Sequence, residues 1–346
     1  MSDANTEISP RPAASGGTGR GASFADILRA GAVLFLLGGL VVFYSLAQPA
    51  FLNLNNLLSI LQAVSVVAIL GVGVTITLSV GGFDLSVGAV AASSVMAASY
   101  AMVVWGLSAP ATVLFVLALG ASVGLVNSLL IVRLKVPDLL ATLSMMFLLS
   151  GLQLIPTAGR SISSGLILPD GSKATGAYDP AFLLIGRSGI GGVPLPVIVM
   201  LIVAAVMFVL SERTRIGRLF FATGGNEVAA RLAGANTARL KTLAYVASGT
   251  LASLGGIIIA ARVGRGDVSS GSSLMMDSVA AALIGFAVLG ARRPNVFGTV
   301  VGAIFVGVLL NGLTMLNIPY YTQDFVKGAV LVGALALTYG LGRRTV

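Results

Sequence analysis

The chain has 346 residues, of which 56% are hydrophobic and 10% charged, with a formal net charge of +9 and neither cysteine nor histidine. This composition excludes an ordinary soluble domain. The missing residue types also remove disulfides, thiol catalysis, most zinc and haem sites and the commonest general base.

The basic residues stand at the ends of apolar runs, where they orient membrane spans, so no nucleic-acid partner is expected. Forty-four glycines, spread through apolar segments with many Ala and Ser, describe helices that pack closely on one another. The expected fold is therefore all-α, a polytopic bundle in the membrane. A β-barrel would show shorter alternating strands instead of long continuous apolar runs.

Residues 1–24, rich in Ser, Gly, Pro and Ala, read as a flexible tail, followed by one transmembrane domain over 25–342. Hydrophobicity supports about ten spans, near 27–47, 56–79, 85–105, 110–132, 138–156, 194–211, 243–262, 276–291, 296–317 and 324–342. With the N-terminus inside, the loops at Arg133/Lys135, Arg213 to Lys241, Arg292/Arg293 and Arg343/Arg344 all fall in the cytoplasm, together with Arg11, Arg20 and Arg29. Only Arg160, Lys173, Arg187, Arg262 and Arg265 remain outside, and Lys327 lies in the last span. Both termini are thus expected in the cytoplasm. A faint similarity between DLSVGAVAA after Gly82 and DSVAAALIG from Asp277 suggests an internal repeat of two halves.

Between the second and third spans, GGFDLSVG (Gly81 to Gly88) places adjacent glycines and an acidic residue at membrane depth. The backbone is expected to break at Gly81 and Gly82. Two compatible readings of Asp84 follow: with Ser86 it caps the next helix, or it faces the permeation path. Asn127 and Asn311 are read likewise, as path-lining groups or as hydrogen-bonding glue between helices. Asp277 and Lys327 read as a helix cap or a snorkelling lysine, with a gate as the alternative. The Pro-punctuated stretch 157–193 reads as an ordered external cap or a linker.

The longest polar run between apolar segments is 212–241, and its middle, Asn226 to Ala233, predicts a short surface helix opened by Asn226 and closed by Gly234. These stretches, GGFDLSVGA, TRIGRLFFATGGNEVAARLAG and the later FGTVVGAIFVGVLLNGLTML, resemble the ribose-type permease subunits of bacterial binding-protein-dependent ATP-binding-cassette importers. The resemblance covers most of Phe51 to Gly342 and implies that the polar run is the segment coupling the permease to a cytosolic ATPase. The Ala-Ala-x-x-x-Gly core of that segment matches Ala229, Ala230 and Gly234, and Gly217, Arg218, Asn226 and Glu227 lie in the same motif. It further implies a second permease copy, identical or different, a periplasmic sugar-binding protein, and a place among the lipids of the inner membrane. One departure stands out: where relatives carry Gly-Gly-x-Gly before the ninth span, this chain reads Gly290-Ala291-Arg292-Arg293-Pro294-Asn295.

No Gly-rich phosphate loop ending in Gly-Lys-Ser/Thr is present, so ATP is expected to be used by a partner, with no cofactor, metal or catalytic residue in this chain. The expected function is import of a monosaccharide by alternating access; an autoinducer-2-like solute is an alternative. An ion-coupled secondary transporter would require a relay of intramembrane carboxylates and histidines, for which Asp84 alone is placed.

Overall fold

The computed structural model describes residues 24–287 and 293–340, and among them helix dominates. The helices are α1 (Phe24–Ala47), α2 (Leu54–Ser79), α3 (Val87–Val103), α4 (Ala109–Ser128, continued by a π turn over Leu129–Arg133) and α5 (Asp138–Leu152). They continue with α6 (Pro180–Arg187), α7 (Leu195–Arg213), α8 (Arg215–Gly225), α9 (Glu227–Leu232), α10 (Thr237–Val263), α11 (Ser272–Ala287), α12 (Val296–Met315) and α13 (Tyr320–Gly340). A hairpin of β1 (Gly189–Ile190) and β2 (Val193–Pro194) precedes α7.

Polar residues start six of these helices, as local chemistry favours. Asn53, Asp179, Thr214, Asn226, Asn236 and Asn295 each accept a backbone N–H from the first turn of the helix that follows. Gly264, at φ +70°, closes α10 in the left-handed region.

Among the described residues, six stretches are long and apolar enough to cross a membrane: 54–79, 109–133, 138–157, 195–213, 237–263 and 296–315. The other expected spans coincide with α1, α3, α11 and α13, whose described apolar parts are shorter or less hydropathic. Burial separates the bundle into centre and rim. The apolar windows of α2, α10 and α12 are 61%, 72% and 67% buried, whereas α5 and α7 are only 22% buried and form the outside. α10 packs chiefly on α4, α2 and α3, and α2 packs on α10, α12 and α11.

Two expectations change in detail. The stretch 212–241 is almost wholly helical: besides α9, which lies where a short helix was expected, it contains α8, and α10 begins at Thr237, well before 243. Thr214 and Asn236 supply the caps that make this possible. The stretch 157–193 is tied to the helices by specific contacts. Its Ile162 pairs with Gly266 beyond α10, Gly176 donates to the Val103 carbonyl at the end of α3, and the Tyr178 hydroxyl lies 2.5 Å from Ser99 Oγ.

The segment 1–23, the turn residues 288–292 and Arg343/Arg344 lie outside the described residues. Of the unusual turn, Arg293 is described: it pairs with Glu212 at 2.8 Å and stacks over Phe221 at 4.8 Å. The close approach of α11 and α12 rests on Gly285, Gly298 and Gly302, each of which faces backbone of the neighbouring helix.

Candidate coupling and translocation site

The chain breaks after α2 where the sequence requires it. Gly81 takes φ +76°, and a side chain on Gly82 would collide with the ring and hydroxyl of Tyr245. The next peptide is held by α5: the Phe83 N–H donates to Asp138 Oδ2 at 2.6 Å, and the Thr142 hydroxyl donates to the Phe83 carbonyl at 3.2 Å. An irregular backbone is stable here because neighbouring spans satisfy both of its polar groups.

Asp84 is fully buried, and its two oxygens have different duties. Oδ1 accepts from the Ser86 N–H at 2.9 Å and the Ser86 hydroxyl at 2.6 Å, while Oδ2 accepts from the Ser248 hydroxyl at 2.8 Å. The helix-cap expectation is therefore corrected: Asp84 takes the N–H of the residue before α3, and Ser86 makes no side-chain capping bond. Asn127 Nδ2 donates to Ser86 Oγ at 2.9 Å. Asp84 and Ser86, read as a pair in the sequence, and Asn127, read apart from them, thus form one buried chain of hydrogen bonds. It joins the start of α3 to α4 and, through Ser248, to α10. Ser248 was not legible beforehand, since one serine among many in an apolar helix carries no distinguishing signal.

Asn311 lies elsewhere. It exchanges reciprocal 3.1 Å amide hydrogen bonds with Asn56, fastening α12 to the start of α2. Thr75 and Thr299 join α2 to α12 in the same way, 2.5 Å apart. The cap reading of Asp277 is also corrected. It sits inside α11 and pairs with Lys327 of α13 at 2.7 Å, with both side chains nearly buried, because desolvation favours a charged pair over two lone charges.

The segment expected to couple is a helical elbow. A side chain on Gly217 would collide with the Ser211 carbonyl, so glycine allows the tight turn from α7 into α8. Arg218, Asn226 and Ala229 are exposed and Ala230 is buried. Val228 and Leu232 point outward, 68% and 85% exposed, giving α9 an apolar surface. Gly234 closes α9 at φ +88° with nothing within 4 Å of where a Cβ would stand.

Glu227 ties the elbow to the bundle. It pairs with Arg231 at 2.7 Å and Lys241 at 2.5 Å and accepts from the Thr237 hydroxyl at 3.2 Å. The hydrogen bond from Lys241, the largest cause, holds its carboxyl below the ordinary glutamate value of 4.5. A depressed carboxylate stabilises above its unfolded value and loses that contribution as pH falls through its folded value. The pairs are partly exposed, so each contributes about 0.2–1 kcal/mol. Glu227→Gln is accordingly expected to speed amide hydrogen exchange in α9 at neutral pH, and the difference from the parent should vanish in strong acid. Equal exchange at neutral pH would show that the pairs do not hold the elbow.

Between this elbow, the break and the π turn lies a cavity of about 760 Å³, lined in part by Gly81, Gly82, Arg133, Asp138, Glu227 and Tyr245. The coupling motif and the Gly-Gly break, 130 or more residues apart in the chain, thus face the same space.

The sequence matches known proteins along most of its length. Residues 56–335 match the family model for the permease component of branched-chain amino acid transport systems. The ribose import permease protein RbsC of Escherichia coli (strain K12) is 37% identical over 300 residues, covering 86% of this chain and 89% of that one. The Bacillus subtilis (strain 168) protein of the same name is 34% identical over the same shares. The autoinducer 2 import system permease protein LsrC of Salmonella typhi is 32% identical, over 86% of this chain and 81% of its own.

Proposed function

This chain belongs to the family of membrane permease components of branched-chain amino acid transport systems, and from that premise we propose that it imports a monosaccharide, a ribose-like pentose or a hexose. The observation that carries the substrate class is the identity of 34–37% with ribose import permeases along most of the chain. The chain itself offers no phosphate loop, so the energy comes from a cytosolic ATPase that docks on α8 and α9. A periplasmic binding protein delivers the sugar, and a second permease copy completes the pore.

The ten-span topology, with both termini in the cytoplasm of a bacterial inner-membrane protein, follows from the positions of the basic residues. Two related halves are supported by the packing: α2 of the first half lies against α11 and α12 of the second, and α10 of the second lies against α3 and α4 of the first. ATP binding and hydrolysis shift the α8–α9 elbow and tilt the bundle between outward and inward openings. The polar groups within the bundle are mostly neutral, and several join helices, which suits weak, replaceable contacts with a hydroxylated solute. An ion relay finds no support at Asp84, whose buried network holds two serines and an asparagine and no second carboxylate.

The test is uptake into vesicles holding this chain with its cognate ATPase and binding protein, screened over labelled pentoses and hexoses. Uptake requiring all three proteins and ATP is expected; uptake by this chain alone on an ion gradient would refute the reading. Transport of an autoinducer-2-type molecule in place of sugars would select the second reading, which the match to LsrC supports.

Gly234 provides a sharper check on the elbow. In the isolated chain a Cβ there meets no atom within 4 Å, and the left-handed backbone costs about 1–2 kcal/mol. Gly234→Trp is expected to insert into the membrane at normal levels and to abolish ATP-driven uptake, because the bulk projects where the ATPase docks. Normal uptake by this variant would remove the elbow from the docking surface.

A further inference from the structure

The importer reading leaves open how a push on the elbow reaches the spans, and one contact stands out. Gly224, in the last turn of α8, lies directly against the end of α2. A Cβ on Gly224 would stand 2.5 Å from the Ser79 carbonyl oxygen and 2.9 Å from the Gly81 nitrogen. The approach is reciprocal, since a Cβ on Gly81 would come within 3.2 Å of the Gly224 Cα. The neighbouring Gly225, in the same turn, has nothing within 4 Å of its Cβ position. Between α8 and the end of α2, backbone thus meets backbone at Gly224.

What lies beyond that contact gives it meaning. Gly81 begins the break, and the next residues are anchored to three different spans: Phe83 to Asp138 and Thr142 of α5, Asp84 to Ser248 of α10, and Ser86 to Asn127 of α4. A contact between main chains has no rotamer with which to absorb a displacement, and packed interiors transmit strain. A shift of α8 therefore falls on the one irregular stretch of backbone from which α3, α4, α5 and α10 are all held.

Resting on the importer reading, we propose that Gly224 is a positioning residue that transmits movement of the α8–α9 elbow to the Gly81–Ser86 break, and that its bare backbone sets how much solute moves per ATP hydrolysed. The measurement is sugar taken up divided by ATP hydrolysed, in vesicles of the complete complex. Gly224→Ala is expected to lower that ratio about tenfold, within the usual range of coupling between distant sites. Gly39→Ala in α1, the same loss of a helical glycine outside the docking elbow and without any collision, leaves the ratio unchanged. Ser248→Ala, at the far end of the relay, removes one hydroxyl and no volume that others fill; it lowers the same ratio and carries the test if Gly224→Ala does not assemble.

A purely structural role for Gly224 predicts something else: less assembled complex, with hydrolysis and uptake falling together at an unaltered ratio. That result overturns the proposal, as does an equal drop in Gly39→Ala or a parental ratio in Ser248→Ala. A parental complex that shows no ATP-dependent uptake removes the importer reading and this inference with it. A parental complex that imports, beside a Gly224→Ala complex of the same ratio, removes the inference alone.

Discussion

Gly120→Val is expected to prevent α4 and α10 from closing on one another, with a large loss of folded protein. The two helices cross at glycines. A Cβ on Gly120 would collide with the Gly249 carbonyl and with Ser253, one on Gly249 with the Gly120 carbonyl, and one on Gly124 with the Tyr245 carbonyl. In lipid, where apolar side chains gain nothing by leaving the solvent, such close approach is what holds helices together. Overpacking ordinarily costs about 1–3 kcal/mol because neighbouring side chains yield. Here the neighbour is main chain, so α4 itself must move, and α10 is the most buried of the candidate spans. The check is the yield and thermal midpoint of detergent-extracted protein against Gly151→Val on the exposed rim of α5, where no atom lies within 4 Å of the added Cβ. Equal midpoints would show that the α4–α10 crossing does not limit stability.

The second large effect is at Asp84, where two substitutions separate two roles. Asp84→Ala leaves the Ser86 N–H and the hydroxyls of Ser86 and Ser248 buried without their acceptor. Each buried group so abandoned costs about 1–3 kcal/mol, so loss of folded protein or of uptake is expected. Asp84→Asn keeps an oxygen for Ser86 and offers an N–H to Ser248, whose hydroxyl can turn to accept it. Substantial ATP-driven uptake by Asp84→Asn beside failure of Asp84→Ala is the expected pattern. Were Asp84 an ion relay, removing its charge would abolish transport as completely as removing the side chain, and equal failure of the two would restore that rival.

Legibility followed the range of the interactions. The break at Gly81 and Gly82 was readable because adjacent glycines weaken a helix by themselves. The short helix α9 was readable because Asn226 and Gly234 act on their own first and last turns. α8 was not, because arginines and glycines in a polar run resemble a loop until Thr214 is seen to accept the Gly217 N–H. Asn311 and Asn127 looked alike in the sequence and proved different: one meets Asn56 across 255 residues, the other Ser86 across 41. Lys327 and Asp277, each given a local explanation, answer one another across 50 residues.

What the sequence by itself determined is therefore everything governed by a residue and its near neighbours: residence in the membrane, most of the helices, where they begin and stop, and the polar surface segment. The grouping of Asp84 with Ser86, Asn127 and Ser248, the crossing of α4 and α10 at their glycines, and the meeting of Gly224 with Gly81 were decided only by the tertiary structure. The physical reason is the same in each case. A buried hydrogen bond or a bare-backbone contact depends on which surfaces of distant helices come within a few ångströms, and the periodicity of a single helix does not contain that information.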